Sequence, residues 1–326
     1  MKSFTRVIVV TAFASIGMLP AATFAQAYPT KPVTVVVPYP PGGATDIIGR
    51  VLAQKLSENL KQQFVVDNRS GAGGNIGAQA VASAKPDGYT LLMGAMTSHS
   101  INATLQKDTA HFDLEKDFAP IAIVGTVPLV LVVNPAVPAK SLKEFVALAK
   151  AKPGDMTYAS AGNGSPQHLT GEQFKLVTKT DMVHIPYKGS GPAMIDLMGG
   201  QVKSMIETVP AAVSFIKAGK IRALMVTTKK RVESLPDVPT AAEAGMPGFE
   251  ASSMFGMAAP AKTPKEVIDR LNAELAKILQ LPDVKAKLLE QGVYATHTTP
   301  AEAAKRIHDE VAMWAKVIKD ANVKVE

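Results

Sequence analysis

Pro38-Tyr39-Pro40-Pro41-Gly42-Gly43-Ala44-Thr45-Asp46 follows directly on Val33-Thr34-Val35-Val36-Val37 and leads into a segment carrying Ile47, Ile48, Val51, Leu52 and Leu56. The first flank is a β-branched run, which predicts a strand that Pro38 ends. The second flank has the spacing of an amphipathic helix. In open α/β sheets, ligands bind where such a loop leaves the carboxyl end of a strand. The first amides of a helix have no partner within it, and together with the helix dipole they favour an anion. Gly42 and Gly43 carry no side chain, so a ligand can approach the backbone closely. Tyr39 and Pro41 flank the same loop. Asp46 would repel an anion that it faced, so it is expected to hold the loop or the helix start. The bland alternative is an ordinary turn and cap.

Outward from this loop the alternation continues. Phe64-Val65-Val66 reads as a strand, and the loop Gly71-Ala72-Gly73-Gly74-Asn75-Ile76-Gly77 leads into a helix over 77–83. Pro86-Asp87-Gly88 is a turn before a strand over 89–93. The apolar run 120–133 is interrupted by Gly125, Thr126 and Pro128, which predicts separate buried strands, one of them 129–133. Ser141 with Glu144 three residues on is a capping box. Strands are expected at 156–159, 184–187, 202–206 and 223–227, with helices running to Leu176 and from Pro192 to Met198. Thr263-Pro264-Lys265-Glu266 and Thr299-Pro300-Ala301-Glu302 each read as an N-cap followed by proline at N1 and an acid at N3. Strands alternating with helices predict an α/β fold built on open sheets.

Two further loops have the same chemistry. Tyr158-Ala159-Ser160-Ala161-Gly162-Asn163-Gly164-Ser165-Pro166-Gln167-His168 lies between a strand and a helix. Its Ser160, Asn163 and Ser165 can donate hydrogen bonds, and its amides can line an anion site. Pro186-Tyr187-Lys188-Gly189-Ser190-Gly191-Pro192-Ala193 is another amide-rich turn, in which Lys188 either adds positive charge or is simply solvated. Loops of this kind facing one another across a cleft would clamp a small ligand.

Several classes of function find no support. The 326 residues carry a net charge of +7, and the basic residues are dispersed with few aromatics between them, so nucleic-acid binding is not expected. There is no cysteine, hence no disulfide and no thiol for a lipid anchor. The six histidines, His99, His111, His168, His184, His297 and His308, fall in no metal-ligand spacing, so no metal is expected. Gly71-Ala72-Gly73 has Ile76 where a dinucleotide fingerprint needs its third glycine, and no P-loop or Gly-x-Ser-x-Gly elbow occurs, so no cofactor is expected either. A secreted α/β hydrolase using Ser165 and His168 is the enzymatic alternative, although nothing local orients the imidazole as a base. No catalytic residue is assigned.

The N-terminus sets the compartment. Lys2 and Arg6 precede the uncharged apolar run 7–19, then Pro20 and Ala25-Gln26-Ala27, the layout of a secretory signal peptide cut after Ala27 or, alternatively, after Ala25. The run is shorter than the ~20 residues that span a bilayer. Loss of Lys2 and Arg6 lowers the net charge to about +5.

Taken as a set, several motifs resemble one family. They are the loops at 38–46, 158–169 and 186–192, together with Asp87-Gly88-Tyr89-Thr90-Leu91-Leu92 and Gly199-Gly200-Gln201-Val202. Ile216-Lys217-Ala218-Gly219-Lys220-Ile221-Arg222-Ala223-Leu224, Leu235-Pro236-Asp237-Val238-Pro239-Thr240 and Pro247-Gly248-Phe249-Glu250 continue the match. In order and spacing, across essentially the whole mature chain, they resemble the Bordetella uptake gene (Bug) receptors, the periplasmic components of tripartite tricarboxylate transporters. The resemblance implies an α/β, two-lobed periplasmic binding protein of type II, flytrap-shaped, with an open mixed sheet in each lobe. Its expected division is a signal peptide over 1–27, lobe 1 over 28–125, lobe 2 over 126–251 and a return to lobe 1 over 252–326. A small carboxylate is expected between the lobes, held by loop amides. The expected ligand-binding set is Tyr39, Pro41, Gly42, Gly43, Asp46, Ser98, Ser160, Asn163, Ser165, His168, Lys188 and Glu207. The implied partners are a small and a large integral membrane subunit, with the receptor itself a monomer in the periplasm. Sensing on behalf of a membrane signalling partner is the alternative role. Lys203, Glu207 and Met254 depart from the family pattern. If Glu207 lines the cleft it can receive an amino or hydroxyl group, and if it is structural the ligand needs none.

Overall fold

Residues 28–320, with Met1 and Val323, are described by the computed structural model of this chain, so the expected leader and its cut lie outside the described residues. Strand β1 (Val33–Val37) runs parallel between β2 (Phe64–Asn68) and β3 (Thr90–Ala95). Helices α1 (Ala44–Leu60) and α2 (Asn75–Ala82) make the crossovers. Val33, Val35, Val36 and Val37 are all buried, as a parallel strand covered on both faces requires. Ile48, Val51, Leu52 and Leu56 lie on one stripe of α1 and are buried in the same core. Directly after β3 the chain enters α3 (Met96–Leu105), which its polar Thr97-Ser98-His99-Ser100 gave no apolar period to predict.

The run expected as separate strands is one, β4 (Phe118–Val133), 16 residues long. Its first part pairs antiparallel with β9 (Ser252–Pro260), and register shifts at Pro120/Ala122 and Ile123/Gly125 absorb the irregular residues. Beyond Pro128 the partners change. Leu129 to Val133 pair with β7 (Ser204–Thr208) and β8 (Arg222–Val226). Pro128 has no amide hydrogen to give a ladder, and it sits where the strand passes from one sheet to the other. The strand thus changes sheet between Pro128 and Leu129. On the way back, the Ala251 amide still bonds to the Thr227 carbonyl at 3.1 Å, while Ser252 already pairs with Pro128.

Between these crossings come α4 (Leu142–Ala151), β5 (Met156–Ser160), α5 (Pro166–Thr178), β6 (Met182–Pro186), α6 (Ser190–Met198) and, after β7, α7 (Val209–Lys217). β5 is parallel to both β6 and β7, which makes the second sheet mixed, like the first. The chain ends on the first sheet with α8 (Lys265–Ile278), α9 (Pro282–Glu290), β10 (Tyr294–Ala295) and α10 (Pro300–Asp320). Apolar residues of α1, α8 and α9 share one core with β1, β3, β4 and β9, while α4, α5, α6 and α7 cover the second sheet. The architecture is α/β and two-lobed.

Local starts explain the helix ends. Ser141 accepts from the Glu144 amide at 3.2 Å. Thr299 and Glu302 cap each other's amides at 3.2 and 2.9 Å. Thr263 does not cap α8, because its hydroxyl donates instead to the Pro260 carbonyl at 2.8 Å and Pro264 takes the cap position. α6 starts at Ser190, ahead of Pro192, which leaves the proline in the first turn where its missing donor is harmless.

Candidate binding site

Five helices begin at one place. Gly43 caps α1, Ala95 precedes α3, Ser165 caps α5, Gly189 precedes α6 and Thr208 caps α7. Their first residues line one cavity between the lobes: Gly43, Ala44 and Thr45 from α1, Ala95 and Ser98 from α3, Ser165, Pro166 and Gln167 from α5, Ser190 from α6 and Thr208 from α7. Tyr39, Ala161, Ser253 and Phe255 complete the wall. None of these lining residues is charged. Each helix N-terminus carries a partial positive charge of roughly half a unit, so the positive potential of this cavity comes from backbone dipoles. That arrangement suits an anion without requiring a basic side chain.

The lobes are closed upon each other. Gln106 Nε2 donates across the cleft to the Asn163 carbonyl at 3.0 Å. A Cβ added at Gly43 would lie 3.7 Å from Ser190 Cβ on the opposite lobe. Gly164, with φ of 76°, faces Asn102 so closely that a Cβ there would overlap its Oδ1. The space left between the walls is about 30 Å³, of the order of one or two water positions.

The expected residues divide. Tyr39, Gly43, Ser98 and Ser165 line the cavity. The Tyr39 hydroxyl donates to the Gly73 carbonyl at 3.1 Å. Burial pushes its phenol up to about 12, against a smaller opposing effect of Ser98. Ser165 Oγ accepts from the His168 amide at 3.2 Å, so it also caps α5.

The other eight do not line it. Pro41 and Gly42 are exposed, and the Pro41 carbonyl lies close to Gly191 of the other lobe. Asp46 is buried with both oxygens engaged: Oδ2 accepts from the Gly42 amide at 3.1 Å and Arg50 Nε at 3.0 Å, and Oδ1 from Asn68 at 3.0 Å. Burial alone would raise its pKa, but these bonds outweigh it and hold the carboxyl below its usual range. Ser160 turns behind the wall, hydrogen-bonded to His184 Nε2 at 2.7 Å. His168 stacks on His184 with ring centres 4.1 Å apart, and its Nδ1 accepts from the Gly164 amide at 3.3 Å. Burial lowers the His168 pKa, and burial together with His168 takes His184 down to about 3, so the stacked pair is neutral at pH 7. Asn163 and the exposed Lys188 lie on the rim of a neighbouring depression.

Glu207 is fully buried behind the cavity wall. Its Oε1 accepts from Gln167 Nε2 at 2.9 Å, the Thr208 amide at 2.5 Å and Thr208 Oγ1 at 2.9 Å, while Oε2 has no partner. Burial raises its pKa against the opposing influence of nearby Ser190, Thr208 and Gln167. Lys203 bonds to Asp155 on the surface, and Met254 is buried in the first lobe's core. Ser165 Oγ and His168 Nδ1 each accept from a backbone amide, and among the described residues no hydrogen bond joins the two side chains.

Gln167, Ser190 and Thr208 lie in or beside the loops but are absent from the expected set, Ser190 counting only as part of an amide-rich turn. Their signal was position: Gln167 and Ser190 occupy the first turns of helices that follow strands, and Thr208 precedes Val209-Pro210, a proline at a helix start. Ser253 and Phe255 had no such signal, because β9 itself had not been recognised.

The chain is similar to known proteins over nearly its whole length. Residues 48–323 match the family described as tripartite tricarboxylate transporter family receptor. BugT of Bordetella pertussis is 40% identical over 319 residues, 98% of each chain. Among solved structures, Rpa4515 of R. palustris with adipate superposes with a TM-score of 0.88 at 39% identity, covering 91% of this chain and 99% of that one. MatC from Rhodopseudomonas palustris with bound malate gives a TM-score of 0.84 at 33% identity, covering 89% and 100%. The periplasmic binding protein BugD gives 0.87 at 35% identity, covering 92% and 100%.

Proposed function

The chain belongs to the tripartite tricarboxylate transporter receptor family, whose members are periplasmic solute-binding proteins, and from that premise we propose that it captures a small carboxylate between its lobes and delivers it to the small and large membrane subunits of such a transporter. The observation that carries this is the convergence of five helix N-termini on a cavity lined by uncharged residues. Adipate and malate, the ligands of two structural neighbours, are both dicarboxylates. In the proposed cycle an open form admits the anion, the amides of 43–45 and of Gln167 bind it, and closure brings Ser190 and Thr208 onto it. Closure then biases docking to the membrane partner. No bond is made or broken. The lobes in this scheme are 28–125 with 252–326, and 126–251. The leader 1–27 is removed on export to the periplasm, where the receptor acts as a monomer.

A thermal-shift screen over di- and tricarboxylates, aromatic carboxylates and amino acids tests it. A ligand at 100 times its Kd stabilises the native state by ~2.7 kcal/mol, an upward shift of several degrees. No shift with any carboxylate, together with turnover of ester substrates lost on Ser165→Ala, would replace binding by hydrolysis.

A further inference from the structure

Glu207 is the acid on which the family resemblance left a question, and the structure moves that question to its neighbour. Glu207 Oε1 accepts the Thr208 amide, so it is an acceptor whatever the protonation of the carboxyl. Gln167 must therefore present its amide nitrogen to Glu207, and that nitrogen is also turned toward Ser190 Oγ at 3.4 Å. The two polar atoms of a side-chain amide point to different sides of its plane, so the orientation of one fixes the other. Gln167 lines the cavity, and no hydrogen bond from the described residues reaches its Oε1. What Gln167 offers a ligand is thus an acceptor, in a cavity whose helix N-termini offer donors.

We infer that Gln167 is a specificity-determining residue, held with its carbonyl oxygen toward the ligand by Glu207 as a positioning residue, and that the captured carboxylate bears a hydrogen-bond donor, a hydroxyl or an ammonium, beside its anionic group. The inference rests on carboxylate capture between the lobes. A bare carboxylate oxygen against Gln167 Oε1 would set two acceptors face to face, whereas a hydroxyl or ammonium donor completes the chain from Glu207 through Gln167 to the ligand. Thr208 and Ser190, which share the network, both line the same cavity.

Titration calorimetry on matched ligands separates the parts. Succinate, 2-hydroxysuccinate and 2-aminosuccinate differ only at one substituent. The intact protein is expected to bind at least one substituted acid about fivefold or more tightly than succinate, as one hydrogen bond implies. The substituted acid that gains identifies the donor as hydroxyl or ammonium. In Gln167→Met and in Glu207→Met that preference falls to about one. Glu207→Gln, which keeps an acceptor oxygen for Gln167 and Thr208, retains it. Succinate bound as tightly as both substituted acids, or a preference that survives Gln167→Met in folded protein, overturns the inference and leaves carboxylate capture standing. Failure of every acid in a folded protein, with adipate and longer dicarboxylates included, removes the capture on which it rests.

Discussion

Replacing Gly43 by valine should abolish ligand capture while leaving the fold intact. Gly43 has φ of −83° and ψ of 167°, an extended conformation that any L-residue adopts, so no backbone strain is added. Its Cβ would make ordinary contact with Ser190 Cβ at 3.7 Å, so Gly43→Ala should bind like the parent. Valine adds two methyls that reach ~1.5 Å further. Because Gly43 is buried, each methyl turns either toward Ser190 or into the cavity. The first brings carbon atoms to about 2–2.5 Å where contact needs about 3.5–4 Å, so the lobes must stay at least ~1 Å apart. The second fills a space of about 30 Å³ that the ligand needs. Either way the anion loses the donors of the second lobe. Two charge-assisted hydrogen bonds at about 1.5–3 kcal/mol each correspond to a loss of ~10²- to 10⁴-fold in affinity. Calorimetric titration with a bound dicarboxylate, alongside thermal melts, measures both quantities. A valine variant that binds within threefold of the parent would refute close backbone approach at this loop, and so would an alanine variant as crippled as the valine one.

Three other outcomes follow from particular groups. Burial pushes Glu310 up to about 7, partly offset by the hydrogen bond from Thr97. A carboxyl whose folded pKa is raised destabilises progressively as pH rises from about 4.5 to 7, by at most ~3 kcal/mol, so urea melts of Glu310→Gln should lose that decline between pH 5 and 8. A decline unchanged in the variant would place its origin elsewhere. Asp46, depressed by its bonds to Arg50, Asn68 and Gly42, contributes stability present above pH ~4 and lost as pH falls. Asp46→Ala should cost about 2 kcal/mol and weaken ligand binding through the loosened Gly42-Gly43 turn, read by melts and titration. Ser165→Ala should cost ~1 kcal/mol from the lost α5 cap, seen as a lower thermal midpoint.

Much of the fold was legible locally. β1, α1, β2 and β5 show their own periods, and Ser141 and Thr299 their own caps. What was missed has one physical cause. β9 is buried on both faces between β3 and β4, and its Gly256, Ala258 and Ala259 offer neither alternation nor bulk to mark a strand. Gly125 and Pro128 looked like breaks in β4 because their tolerance depends on a bulge and a change of sheet, both made by partners distant in sequence. α3 is polar at its start yet buried, since Ser98 lines the cavity while Thr97 donates to Glu310 and accepts the Met254 amide.

The site divides along the same line. By itself the sequence determined that three amide-rich loops leave strands and start helices, because proline, glycine and capping residues act within a few positions. From that came an anion-favouring site, and the resemblance to the family came from the whole set of motifs along the chain. Only the tertiary structure decided which side chains of those loops line the cavity. Asp46 was a candidate as part of its loop and Glu207 through the family resemblance, but helix phase and lobe closure turn one into a brace for its loop and put the other behind Gln167. Facing is set by contacts between segments as far apart as Gly43 and Ser190, and no local period records them.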